Sequence, residues 1–286
     1  MSLSAPNYDT TAVPRVLKLD GNANVLWDRT YGQASGLDSQ EPRAVAATVD
    51  GGCVVACQRS LVIIGAKGSK TNTYISQVVL RKLDSVGDVV WERNLESPTG
   101  YMGVARMIPV NGDGFVLVGA DSQILRVDAA GNALWWNLYG GGWTTGVGVA
   151  SDGGFVLVGT SQESFPTPEV FRTDASGNLL WSAVNIIPNQ GNAQYTVRDA
   201  ILDTEGRMVL VGQLEHVAYV GNFFPIITYD SFIMQLDSSA HLNWSKTLPV
   251  YELNGIALTN TGDYVTTGAD GNDLKVIRVT TAGNVM

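Results

Sequence analysis

An all-β chain of repeated four-stranded units is what the sequence predicts, and three observations predict it. An Asp is followed seven residues later by a Trp in five segments: Asp20/Trp27, Asp84/Trp91, Asp128/Trp135, Asp174/Trp181 and Asp237/Trp244. Between these segments recur Gly- and Asp-rich turns, each leading into a short apolar run such as residues 115–119 or 155–159. Gly is abundant at 32 residues while charged residues make up only 16%, which suits many short strands joined by tight turns. A unit of this size cannot bury its own apolar face, so successive units must stack. With an indole wedged between neighbouring sheets, the expected architecture is a β-propeller of about five four-stranded blades.

The elements follow from the turns. In the Asp-to-Trp segments Gly87, Gly131, Gly177 and Gly283 stand three residues after the first turn position, followed by Asn24, Asp88, Asn132, Asn178, His241 or Asn284 at the next. Gly and Asn accept positive φ, so each segment reads as a hairpin of two strands, c and d, with Trp on d. A second hairpin alternates with it, turning at Asp50-Gly51-Gly52, Asn111-Gly112-Asp113-Gly114, Asp152-Gly153-Gly154, Thr204-Glu205-Gly206 and Thr261-Gly262-Asp263. Its first strand is rich in small residues, as in Ala44-Val45-Ala46-Ala47 and Gly146-Val147-Gly148, and is placed innermost as strand a. The apolar strand after the turn is b. Blades then span 44–95, 103–138, 146–184 and 198–248 within a single domain, 1–286.

A fifth blade begins at Gly255, and five a–b hairpins stand against six c–d signatures. The fifth is expected to combine 255–286 with 14–31, taking strand c from residues 274–280 and strand d from 24–30. Such shared-terminus closure removes open sheet edges. The strand at 15–20 is then surplus, and either extends that blade or pairs with another subunit.

The Asp-x-x-Gly-x-x-x-Trp hairpin resembles the tryptophan-docking repeat of pyrroloquinoline-quinone-type propellers. Over roughly residues 14–286 the unit is similar to the repeats of quinoprotein-like propellers that lack the cofactor. Enzymes of that family hold the quinone beside a vicinal disulfide and a calcium site. Cys53 and Cys57 are the chain's two cysteines and are not adjacent. The expected cofactor is therefore none.

A net charge of −9 and a pI near 4.6, with no Lys/Arg cluster, argue against nucleic acid and anionic membrane surfaces. The run at 61–66 falls far short of the ~20 apolar residues a bilayer helix needs. Cys53 and Cys57, four apart on an extended strand, lie ~13 Å apart, too far to bond to each other. No basic, apolar leader is visible, and the extracellular space, a cell surface and a virion are all compatible locations.

The b–c and d–a connections share one end of each sheet and vary in length, with insertions at 59–76 and 213–230. Variable loops on a regular scaffold are where function is expected. Tyr101, Trp143, Tyr195 and Tyr251 stand shortly before strand a and either stack on a ligand or pack between blades. Arg106 and Asp199 occupy the same place at the start of strand a, as an ion pair, channel lining or binding-site polarity. Phe223 and Phe224, before Pro225, belong to a loop that either folds on itself or meets a partner.

No catalytic motif emerges. His241 occupies a turn position, and His216 beside Glu215 has no matched nucleophile. The repeated aspartates are turn residues, one per blade, whereas a glycosidase pair needs carboxylates within roughly 5–10 Å. Asp38, Glu41, Glu96, Glu163 and Glu169 remain as carboxylates on the variable end. The expectation is a non-enzymatic recognition module binding a protein or glycan. The alternatives are a structural subunit of a larger assembly, a homo-oligomer through its terminal strands, and a glycoside-acting enzyme.

Overall fold

The computed structural model describes residues 13–32, 38–63, 73–110, 114–184, 186–187, 193–220 and 224–286. Strands β1 (Arg15–Leu19) and β2 (Val25–Thr30) pair with each other in a sheet of two. Four antiparallel sheets of four strands follow. The first holds β3 (Asp38–Ala47), β4 (Cys53–Ile63), β5 (Thr73–Leu83) and β6 (Val89–Glu96). The second holds β7 (Val104–Pro109), β8 (Phe115–Gly119), β9 (Gln123–Val127) and β10 (Ala133–Leu138). The third holds β11 (Trp143–Val149), β12 (Phe155–Thr160), β13 (Pro168–Thr173) and β14 (Leu179–Ala183). The fourth holds β15 (Ala193–Leu202), β16 (Met208–Val220), β17 (Phe224–Leu236) and β18 (Leu242–Leu248). A last sheet of three contains β19 (Glu252–Leu258), β20 (Tyr264–Asp270) and β21 (Asp273–Val279). No helix occurs among the described residues. This is a β-propeller built from the repeat that the turns announce.

The chain divides into two compact units, Met1–Leu117 with Leu125–Leu134, and Val118–Ile124 with Trp135–Met286. In the first unit β3 lies against β7. In the second, β11 lies against β15, and β15 against β19. Strands in the a position are thus the ones that meet from sheet to sheet. Their small residues follow from that crowding: a Cβ on Gly146 would stand 2.5 Å from the Ala200 Cβ. Four of these strands carry a bulge at the same point, after Pro42, Thr144, Val197 and Leu253, which bends each strand at one place in the repeat.

The apolar cores lie between successive sheets. Val156, Val158 and Val170 of the third sheet meet Leu210, Phe232 and Met234 of the fourth. Val209, Val211 and Ile233 meet Leu253, Ile256 and Tyr264 of the last. The tryptophans close these seams from outside. The Trp27 indole donates to Ser85 O at 3.0 Å, and Trp244 donates to Thr281 O at 3.1 Å. A Cβ on Gly131 or Gly177 would sit 2.6 Å from the ring of Trp91 or Trp135. Each indole therefore lies flat on the c–d turn of the next repeat. Trp181 packs on the cluster containing Ala240, which holds the glycine position with φ +64°.

The turn aspartates are equally repetitive. Oδ1 of Asp20, Asp84, Asp128, Asp174 and Asp237 accepts the backbone N–H groups two and four residues on. His241 keeps the pattern, its Nδ1 lying 3.2 Å from Asp237 Oδ2. A cation two residues before the first turn position, Asp84, Asp174 or Thr280, reaches across to the a–b turn: Lys82 to Asp50, Arg172 to Asp152 and Arg278 to Asp263. Sequence reading passed over this second ladder because its partners are far apart in the chain.

β2 takes β1 as its hydrogen-bonded partner, and β21 ends the sheet of three. A tight turn at Asp20 closes β1 on β2 locally, and short loops close at lower entropic cost than long ones. The insertions 59–76 and 213–230 are not loops in their described parts. They prolong strands b and c into two-stranded ribbons, pairing Arg59 with Gln77 out to Ile63 with Thr73, and Gln213 with Ser231 out to Val220 with Phe224.

Candidate functional site

The ribbon formed by the outer halves of β16 and β17 is the largest departure from the repeat in the second unit. Register holds along its length, with Glu215 opposite Tyr229, His216 opposite Thr228 and Ala218 opposite Ile226. The runs Leu214–Val220 and Ile226–Tyr229 are rich in β-branched and aromatic residues, and the sequence between them contains Gly221-Asn222, residue types that favour a hairpin turn. That signal was present in the sequence, masked by treating the whole stretch as an insertion.

Both faces of this ribbon expose apolar side chains. Ile226 is 51% exposed, Ile227 45% and Tyr229 37%, although neighbours in β17 point to opposite faces. A two-stranded ribbon gains little from its own side chains. Here the base is anchored: the Tyr229 ring meets Tyr251 edge-on at 5.3 Å, and Gln213 Nε2 donates to Tyr251 O at 3.3 Å. His216 Nε2 lies 3.3 Å from Asp230 Oδ2 on the same ribbon. The result is an apolar patch of Ile227, Tyr229 and Tyr251 on one face, with Ile226 exposed on the other.

The expected site residues fall into different settings. Tyr251 joins the ribbon patch and stays about half exposed. Tyr195 instead packs edge-on against buried Phe232 at 5.2 Å and belongs to the core between sheets. Trp143 opens β11, half exposed, and Tyr101 is half exposed in the connection before β7. Asp199 is buried and joins neighbouring a strands, its Oδ2 accepting the Ile256 N–H at 3.0 Å. Arg106 is partly buried on β7. Phe223 lies outside the described residues, and Phe224 opens β17.

One carboxylate is unusual. Glu169 on β13 is 1% exposed, and its Oε1 accepts from Ser122 Oγ at 3.0 Å and Gly142 N at 2.9 Å. Burial pushes its pKa above the ordinary value, against the lowering effect of the Gly142 and Ser122 hydrogen bonds. Asp121 and Ser122 beside it both adopt positive φ. Glu169 ties two connections to β13, the task its hydrogen bonds account for. Among the described residues no group of three or more His, Cys, Asp or Glu is placed to hold a metal. Cys57 is fully buried, and burial pushes its thiol up to about 11.

Comparison with known proteins adds likeness of fold. No family model matches the chain, and no curated protein matches it by sequence. Among solved structures it is similar to Sqt1 from Chaetomium thermophilum, at TM-score 0.49 and 12% identity over 95% of this chain and 76% of that one. It is similar to the WD40 β-propeller domain of Doa1, at TM-score 0.48 and 14% identity over 93% and 86%. It is also similar to BamB from Moraxella catarrhalis, at TM-score 0.47 and 11% identity over 92% and 79%.

Proposed function

We propose that this chain is a non-catalytic recognition propeller that binds a protein partner through the ribbon at residues 213–230. The observation that carries this reading is the ribbon's exposed apolar side chains on both faces, Ile226, Ile227 and Tyr229, beside Tyr251. Exposed apolar side chains presented at the end of a sheet are a usual mark of a docking surface. A protein is favoured over a glycan because the patch is aliphatic as well as aromatic, and occurs once instead of once per repeat. The docking of each indole on the following turn supports kinship with quinoprotein-like propellers lacking the cofactor, and with it a binding role.

The test is retention of a partner from the native source by immobilised protein. The double substitution Ile226→Asp with Ile227→Asp is expected to abolish retention while leaving the thermal midpoint unchanged. Retention undiminished by the double variant, or a glycan-array signal lost with Tyr101→Ala or Trp143→Ala, would refute the ribbon as the site.

A further inference from the structure

The two faces of the β16–β17 ribbon differ in chemistry. Cross-strand partners share a face, so Glu215 with Tyr229 and Val217 with Ile227 lie on one side, and His216 with Thr228 and Ala218 with Ile226 on the other. Tyr251 joins the first side, its ring meeting Tyr229 edge-on. An edge-on contact covers one ring face and leaves the others free, and both tyrosines remain exposed.

The charge on the tyrosine face is negative and unmatched. Residues 213–230 contain Glu215 and Asp230 but no Lys or Arg. On the other face Asp230 has His216 at 3.3 Å. Glu252, next to Tyr251 in the chain, has Arg198 at 3.8 Å. Glu215 accepts from the neutral Gln194 amide at 3.3 Å, and among the described residues it forms no ion pair. Burial first, then the Glu215 charge, raise the pKa of the Tyr229 hydroxyl, so this carboxylate lies within electrostatic reach of the ring. A carboxylate beside open ring faces is a receptor for a cation, because the acid and the π-system attract it together.

We infer that, given the ribbon as the docking site, the partner segment it receives is basic, with an Arg seated against Tyr229, Tyr251 and Glu215 and an aliphatic side chain on Val217 and Ile227. The two subsites are two residues apart along the strands, ~7 Å, which is the spacing of same-face side chains in an extended segment. The segment therefore carries its basic and aliphatic residues two positions apart. Arg is favoured over Lys because a planar guanidinium stacks on a ring while bonding a carboxylate in two places. A net charge of −9 draws such a segment in at long range. A second copy of the chain fits poorly, since its ribbon offers no Lys or Arg to Glu215.

The probe is a display library of random short peptides, selected on the full chain and counter-selected on the Ile226→Asp, Ile227→Asp variant. Peptides with Arg two positions from Val, Ile or Leu should be enriched, and should bind in calorimetry with Kd of about 1–100 μM. Tyr251→Ala should weaken them about three- to tenfold, whereas Tyr251→Phe should not, because a cation needs the ring and not the hydroxyl. Glu215→Lys should weaken them at least about tenfold, and peptides with Glu in place of Arg should recover binding to that variant. Recovery by charge exchange also shows that the variant is folded.

Three outcomes would overturn the proposal. Ribbon-dependent peptides without a basic residue, or basic ones indifferent to Glu215→Lys and Tyr251→Ala, would remove the cation subsite and leave the ribbon as the docking site. A library in which no peptide distinguishes the full chain from the double variant would remove both. A dimer by light scattering that the double variant converts to monomer would give the ribbon to a second copy.

Discussion

Ala23 and Ala240 hold the turn position that Gly fills in the other repeats, with φ of +63° and +64°. A Cβ at positive φ is disfavoured by roughly 1–2 kcal/mol. Ala23 is exposed, so nothing repays that cost. Ala23→Gly should raise unfolding stability by about 0.5–1 kcal/mol in urea titrations, after the greater unfolded-state freedom of Gly is subtracted. Ala240 is buried in the core between the third and fourth sheets, and the same exchange there should gain less. Glu169 offers a second residue-level expectation. Both these hydrogen bonds fall on Oε1, so Gln can accept them, while the raised pKa means that folding disfavours the charged form relative to the unfolded chain. A group raised in this way favours the fold below its unfolded pKa and loses that contribution as pH rises through the folded value. Glu169→Gln should therefore be neutral or stabilising by up to about 1 kcal/mol at pH 8 and shallower in its alkaline decline.

At the level of elements, strands in the a position work because their side chains are small where neighbours cross. Gly146 stands against Ala200, and Gly148 would place a Cβ 2.8 Å from the Leu202 Cβ. Gly146→Val adds three carbons to a gap without room for one, and should cost about 2–3 kcal/mol of thermal or chemical stability. Trp135→Ala should cost about 3 kcal/mol, because the indole covers Gly177 and touches Phe155 with centroids 5.9 Å apart. A loss under about 0.5 kcal/mol for Trp135→Ala would mean that the outer strands do not hold the seam. The ribbon at 213–230 obeys different rules, since its stability is local and its apolar faces are unsatisfied. Its sequence read as an insertion because no other repeat matches it in length, although the pattern of strand, Gly-Asn, strand was there to be taken at face value.

For the whole molecule the repeat turns stability into a function of pH. The turn carboxylates Asp20, Asp84, Asp128, Asp174 and Asp237 all lie below their ordinary range. Hydrogen bonds from Asn24, Asp88, Asn132 and Asn178 lead the causes at the first four, whereas at Asp237 they prevail over an opposing burial. Asp203 is lowered too, although burial works against its charge, because Arg207 and the Tyr264 hydroxyl bond to it. Depressed folded values mean stability that is complete above an unfolded pKa of about 4 and is lost as pH falls through the folded values. The thermal midpoint should be flat from about pH 5 to 7 and drop steeply below about pH 4, with Asp203→Asn removing part of that slope.

The repeat, its four strands, the turn aspartates and the tryptophan wedges were legible along the chain, because each depends on neighbours within about ten residues in a local turn geometry. Distant partners were not. That Tyr195 meets Phe232 while Tyr251 meets Tyr229, and that Lys82 reaches Asp50 and Arg172 reaches Asp152, are decided by contacts between residues well apart in sequence. Periodicity reports which face a side chain takes; it carries no record of what stands opposite. Packing makes that choice.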